Sequence, residues 1–548
     1  MAKASLQKLI WASLDDYLPP GMGGQYVGRL VANHTFFQAL LKYSHFDEYH
    51  FFLANKIQQR LFESRHGAFL EELGVRHKVK LFDILELPEQ VRQCDYTVFH
   101  QSDHLGSFNS LCHFRNQTAS FPATAFIHSV SYIPGIMNKY LELMFGGVTS
   151  GDALICSSVS GKKVLEKCFQ QIATRLNLSE PTVQMEVIPL GIDGDRFPEL
   201  DRIGCRKQLG LDETEVIGLC LGRFSEYDKM DLLPLLLAFK KIYRKGCPWR
   251  LVLAGAVQSE AYLKILEAWA RGLGIVNNMT FITNLSETDK VALYRAADFF
   301  ISLSDNPQET FGLTLLEAMA CGLPLVVSDF DGYREIVTDE IGRRIRTTWS
   351  NFEPLVTLGP LMDMATYHRY LAQSICLDVD QLVDTLKFFF LNPAPAREMG
   401  KAARRRFLTL YDCRVVIPRL EELWLKLKEN FNSPISPSHS DPLAMNVFDC
   451  FSHYVSQTLT PDTIIKLTDY GQIFLESGAN YPLLPGMENL IDQKDMRRIM
   501  EQARDSVQVV DVDGMEDWKK RYLVLWMLKQ GLLGVVSSRE GRGKMEEG

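Results

Sequence analysis

The sequence predicts an α/β protein made of two successive Rossmann-like parallel-sheet lobes with a cleft between them, followed by a small, mostly helical C-terminal module. Three observations predict it. Short apolar runs alternate with amphipathic helical patterns through the first ~195 residues. A second series of the same kind begins near residue 215, and a Pro/Ser-rich stretch, NSPISPSHSDP at 432–442, separates both from a last hydrophobic segment. At 548 residues the chain exceeds what one core can hold and requires two or three domains.

Taken in order, LIWAS (9–13) reads as a strand and PPGMGG (19–24) as a glycine turn. A helix over 26–43 follows, with Val27, Leu30, Val31, Phe37, Leu40 and Leu41 at helical spacing. Strand-like runs recur at 96–100, 123–128, 153–157 and 187–190. The second set comprises 216–223, 249–255, 279–284, 299–304 and 324–329, each followed by a helix or loop. An aromatic-containing insertion spans 347–376, with no function legible in it, before a helix resumes at Val379. EELWLKLKENF (421–431) is amphipathic. The expected boundaries are 1–195, 196–431, the linker 432–442, an accessory helical module at 443–536 and a disordered tail at 537–548.

Composition narrows the class. The hydrophobic and charged fractions, 46% and 23%, are those of an ordinary soluble protein. A net charge of −8 argues against nucleic acid as a partner. Eleven cysteines, odd in number and without a CxxC pair, suit reduced thiols in the cytoplasm better than disulfides or zinc. Residues 1–15 carry one short apolar run, which fits a first strand and not a signal peptide. No apolar run reaches the roughly 18–20 residues that span a bilayer.

The most informative stretch is DNPQETFGLTLLEAMACG, 305–322. Asn306-Pro307 breaks the strand at 299–304, and a helix over 312–321 closes at Gly322 before Pro324. Amides of Gly312, Leu313 and Thr314 at the helix start make a site for a diphosphate. Glu309 and Glu317 stand eight positions apart. Glu317 lies in an otherwise apolar helix, where a carboxylate is costly unless hydrogen-bonded, and two ribose hydroxyls would satisfy it. Arg223 and Lys229, in GRFSEYDKMDL, follow another strand, where fixed cations would neutralise a diphosphate leaving group. His128 ends the run ATAFIH, and His100, Asp103 and His104 follow the strand before it, where a loop hydrogen-bond network is expected. Gly23-Gly24 would let backbone approach a ligand closely. Asp305 and Asn306 either touch the nucleotide or cap the turn.

The E-x7-E pair, the F-G-L between its glutamates and the A-M-A-C-G-x-P ending resemble the signature of retaining GT-B glycosyltransferases of the family 4 type. The resemblance covers about 1–431. It implies metal-independent transfer of a sugar from a UDP- or GDP-sugar to a hydroxyl of a sugar, polysaccharide or glycolipid acceptor, with no further cofactor. In that scheme Glu309, His128, Arg223 and Lys229 are catalytic. Glu317, Thr310, Phe311, Gly312, Leu313, Gly23 and Gly24 bind the donor. It further implies a hinge near Gly191 and Asp193 in IPLGIDGDRF, and a terminal helix, 412–431, that returns to the first lobe. Two other readings stay open: a non-catalytic GT-B scaffold and a GT-B sugar epimerase. The C-terminal module is a candidate for peripheral membrane or protein contact.

Overall fold

The structure, a computed structural model, describes residues 8–20, 28–131, 135–431 and 441–536. The first sheet contains β1 (Ile10–Ser13), β2 (Glu48–Leu53), β3 (Val79–Asp83), β4 (Val98–Gln101), β5 (Ala123–Ile127), β6 (Ala153–Cys156) and β7 (Gln184–Val187) in the order β3-β2-β1-β4-β5-β6-β7. The second contains β8 (Val216–Leu221), β9 (Trp249–Ala254), β10 (Met279–Ile282), β11 (Phe299–Ser302), β12 (Leu325–Ser328) and β13 (Gly342–Ile345) in the order β10-β9-β8-β11-β12-β13. Neighbours pair in parallel from β1 through β4, β5 and β6 to β7, and throughout the second sheet. Helices cover both faces of such sheets, so central strands such as ALIC (β6) and FFIS (β11) are buried at every residue.

In each lobe the first strand lies mid-sheet and the chain reverses its direction of growth, between β1 and β4 and again between β8 and β11. These reversals open the crevices in which α/β sheets take their ligands, at the carboxyl ends of the strands.

Three strands of these two sheets fall outside the elements read from the sequence. VKLFD (β3) is partly exposed and GRRI (β13) carries two arginines on a sheet edge, so their apolar signals are weak, while in EYHFFL (β2), though largely buried, Glu48 and His50 interrupt the apolar run. The strand expected at 187–190 sits earlier, at β7; QMEV is a half-buried edge strand, and the apolar Ile188-Pro189-Leu190 beyond it drew the reading downstream. The insertion at 347–376 is ordered. An antiparallel pair, β14 (Thr347–Thr348) with β15 (Cys376–Leu377), closes around the helices Glu353–Leu358 and Met364–Gln373.

The helix Cys413–Asn430, capped by Asp412, buries Ile417, Leu420, Trp424 and Leu427. Fully buried Trp424 donates from Nε1 to Thr124 Oγ1 of β5 at 3.0 Å. Its ring lies 5.4 Å from His100 and 5.9 Å from Phe46. Glu421 accepts from the His45 amide at 3.1 Å and meets its Nδ1 at 3.0 Å. The last helix of the second lobe therefore packs into the core of the first.

By its internal contacts the chain forms two compact units. One holds both sheets' central strands and runs through Pro442; the other gathers Phe51–Glu72, Leu81–Glu89 and Leu443–Gly548. Within the second unit, β16 (Ile464–Leu467) pairs antiparallel with β17 (Val507–Gln508) and β18 (Leu533–Val535). Helices Asp469–Ser477, Gln493–Gln502 and Asp517–Lys529 enclose a core that includes Ile465, Met496, Ile499, Leu523 and Met527. Among the described residues, no helix is long and apolar enough to cross a membrane.

Candidate active site

The crevice of the second lobe lies where β8 and β11 end. Gly222 follows β8 and Gly255 follows β9 with φ +144°, pressed so closely on the Gly222 carbonyl that a Cβ at Gly255 would overlap it. This close approach brings the two loops side by side. Arg223 donates through Nη1 to Asp228 Oδ2 at 2.9 Å and to Gln258 Oε1 of the neighbouring loop at 2.7 Å. Lys229 Nζ donates to Glu309 Oε2 at 2.6 Å, across to the loop after β11. Asp305 accepts from the Asp231 amide at 3.1 Å, and Asn306 donates to the Tyr227 carbonyl while accepting from the Gln308 amide. Of the two roles open to Asp305 and Asn306, the contacts are those of turn and loop fastening.

Glu309 and the helix Leu313–Ala320 come next. Burial pushes the Glu309 carboxyl up, but the Lys229 charge and hydrogen bond, with the Phe311 amide, outweigh it and hold the group below its ordinary value. Gly312 caps the helix at φ +100°, and a Cβ there would come within 2.5 Å of the Tyr333 ring. That packing admits only glycine. The first amides of this helix lack intrahelical acceptors, as the first amides of any helix do. Phe311 is buried, in an edge contact with Tyr411 at 6.2 Å.

Glu317 is buried, and its charge is already met. Oε1 accepts from Lys290 Nζ at 3.0 Å and Oε2 from the Tyr294 hydroxyl at 2.8 Å. The expectation that a ribose must satisfy this carboxylate is thereby revised: two side chains of the helix Glu287–Ala296 do so. A pentose hydroxyl would join this group as a third partner.

His128 sits at the carboxyl end of β5 in the first lobe, buried, with Nε2 donating to Asn33 Oδ1 at 2.7 Å. Burial lowers its pKa to about 4, against the partly opposing charge of Asp103. Its carbonyl accepts from Thr310 Oγ1 at 3.1 Å, so the loop of Glu309 meets the first lobe here. Asp103 binds Arg29 at 2.6 Å and His104 Nδ1 at 3.2 Å, while His100 Nδ1 meets Thr124 Oγ1 at 2.9 Å. Asp103 and His104 thus make loop contacts, whereas His100 stands on β4 and bonds across to β5 inside the core. Gly23 and Gly24 lie outside the described residues.

Three groups at the cleft went unread in the sequence. Glu335 accepts from the Val159 and Ser160 amides, both at 2.8 Å, and from Ser160 Oγ at 3.0 Å. It thus caps the first-lobe helix Val159–Leu176, whose next amide, Gly161, is taken by Ser158 Oγ at 3.0 Å. Ser158 in turn donates to the Thr310 carbonyl at 2.9 Å. From the insertion, His368 Nε2 donates to the Ser131 carbonyl at 3.0 Å, and Arg369 and Gln373 reach Glu226 at 3.1 Å and Asp231 at 3.0 Å. The third is Asp331, at φ +48° beyond β12. Their signals are tertiary, and no local pattern marks them.

Two parallel-sheet lobes joined by a returning helix, with paired cations at the second lobe's crevice, define the GT-B class. Residues 201–348 match the family Glycosyl transferases group 1. Over 159 residues the chain is 35% identical to D-inositol 3-phosphate glycosyltransferase of Geodermatophilus obscurus, covering 28% of this chain and 35% of that protein. Over 181 residues it is 33% identical to alpha-monoglucosyldiacylglycerol synthase of Streptococcus pneumoniae, covering 32% and 39%. The match thus spans little more than a third of these relatives' length. In fold, the chain is similar to a glycosyltransferase of Rickettsia africae (TM-score 0.53, 15% identity, 78% of this chain and 100% of that one). Anabaena HepE, solved in complex with UDP, gives a TM-score of 0.51 at 15% identity, over 76% and 99%. The fold is thus that of GT-B proteins, and residues 201–348 are similar to the group 1 glycosyltransferases.

Proposed function

We propose that this protein is a retaining glycosyltransferase that moves a sugar from a UDP- or GDP-sugar to a hydroxyl acceptor in polysaccharide or glycolipid assembly. The observation that carries the reading is the convergence of Arg223, Lys229, Glu309 and the start of the helix Leu313–Ala320 at one crevice, against His128 of the opposite lobe. Two cations and a set of amides neutralise the diphosphate as the glycosidic bond breaks, without a metal ion. Glu309 contacts the sugar hydroxyls, and Thr310, Phe311, Gly312 and Leu313 line the phosphates. Glu317 holds the ribose, and His128 approaches the sugar from the first lobe. We favour a front-face substitution, the departing phosphate oxygen taking the acceptor's proton.

Relatives named for glycosylating inositol 3-phosphate and diacylglycerol, and a fold neighbour crystallised with UDP, support the donor and acceptor classes. The work is assigned to the cytoplasm, with the C-terminal module making a peripheral membrane or protein contact. The test is a thermal-shift and product screen of the purified chain against UDP- and GDP-sugars. A cognate donor at about 100-fold its Kd stabilises the native state by about 2.7 kcal/mol. Transfer with the anomeric configuration inverted, release of an epimerised donor, or no donor binding at all would each overturn the proposal.

A further inference from the structure

We propose that Asp331 reads the donor: its carboxyl and that of Glu309 grip neighbouring hydroxyls of the sugar being transferred, and so set which sugar is accepted. This inference rests on the sugar-transfer reading above. Asp331 stands three residues past β12, the sheet neighbour of β11, at the edge where the crevice lies. The next residue, Gly332, is pressed on the Glu309 loop: a Cβ there would come within 2.6 Å of the Thr310 carbonyl and 3.1 Å of the Phe311 Cα. Asp331 and Glu309 therefore each stand one residue from the same contact, on the two chain segments that make it.

Two features set Asp331 apart, beyond the turn it opens with the Arg334 amide at 3.3 Å. Its backbone is left-handed, at φ +48°, a conformation that glycine would hold more easily. Its Oδ2 is buried without a hydrogen-bond partner, although the Gly332 amide engages the carboxyl. An aspartate that served only its turn would not leave a carboxyl oxygen buried and unused. Strain and an unmet polar atom together mark a group kept for a ligand.

The chemistry of the pair points to a diol. Burial, with the charges of Glu309 and Glu335, pushes the Asp331 carboxyl well above its ordinary value, toward the protonated acid. Glu309 is held ionised by Lys229. An ionised carboxylate only accepts, whereas a protonated one also donates. Such a pair matches two adjacent hydroxyls and repels a phosphate less than two charges would. A site built to bond a hydroxyl discriminates strongly against a sugar that lacks it or turns it away.

The experiment compares wild type with Asp331→Gly and Asp331→Asn in the full chain. It measures kcat/KM across UDP-glucose, UDP-galactose, UDP-N-acetylglucosamine and GDP-mannose, together with the melting temperature. Glycine relieves the backbone and removes the stranded oxygen, so Asp331→Gly should melt no lower than wild type. Its ratio of kcat/KM between the best donor and the best donor's competitors should shrink about tenfold or more. Asparagine, which keeps a donor and an acceptor in a left-handed turn, should retain most of the discrimination. Wild-type discrimination in Asp331→Gly overturns this inference alone. No turnover by the wild type with any donor overturns it together with the proposed function.

Discussion

Arg223 and Lys229 are each oriented by a carboxylate, Asp228 and Glu309, and positioned cations of this kind act most strongly where charge develops. Arg223→Ala should therefore lower kcat by about 100-fold or more while the circular dichroism spectrum stays that of the wild type. Glu317 requires a gentler probe. Replacing it by alanine strands Lys290 and Tyr294, at a cost of about 1–3 kcal/mol, and mixes a folding defect with any donor effect. Glu317→Gln keeps an acceptor for Tyr294 and should raise the donor KM with a smaller loss of stability, read by urea titration. His128 gives a pH signature. Its folded pKa near 4 lies below the unfolded value of about 6.5, so the unfolded chain binds more protons between the two. Its stabilising contribution is complete above pH 6.5 and is lost as pH falls toward 4, by up to about 1.4 kcal/mol per unit. A His128→Gln variant should show a shallower fall of the urea midpoint between pH 7 and pH 5. At this scale the sequence told much: 305–322 displays its break, its helix and both glutamates in one run. Asp331, Glu335 and His368 were illegible because β12 and an insertion, remote in the chain, bring them to the cleft.

Among elements, the start of the helix Leu313–Ala320 depends on one backbone conformation. At Gly312 any side chain meets a left-handed φ of +100° and the Tyr333 ring, so Gly312→Ala should cost about 1–3 kcal/mol and displace the amides at the helix start. A fall in melting temperature accompanied by weaker UDP binding is the expected result; unchanged binding would separate the helix start from the phosphate site. Central strands such as β6 and β11 were readable because burial on both faces makes them continuous apolar runs, whereas β2, also interior, is interrupted by Glu48 and His50. The edge strands β7 and β13 were not readable, since QMEV and GRRI face partly outward and carry polar side chains. Helix ends were read to within a few residues where a cap or glycine marked them. The insertion's helices had no such fate: Trp349, Val356 and Leu361 remain exposed, which blurs the periodicity that would have revealed them.

For the molecule as a whole, the contact between the two lobes is a row of polar ties. Glu335 caps the helix Val159–Leu176, Ser158 and Thr310 exchange with the opposite lobe, and His368 binds the Ser131 carbonyl. Removing the Glu335 carboxylate takes an anion from a helix start, an interaction of about 0.3–1 kcal/mol, too little to unfold either lobe. Glu335→Ala should thus keep its melting temperature within about 2 °C while kcat/KM falls several-fold, read as a steady-state profile over donor concentration. The tie of another kind is the helix Cys413–Asn430, whose Trp424 completes the wall around Trp11, Phe36 and His100. A chain cut after Tyr411 would leave that wall open, at a cost on the order of 3–5 kcal/mol for the lost indole alone. On the ribosome, the first lobe must consequently wait, unfinished, for Trp424, which emerges 300 residues after its partner Thr124, before its own interior can close.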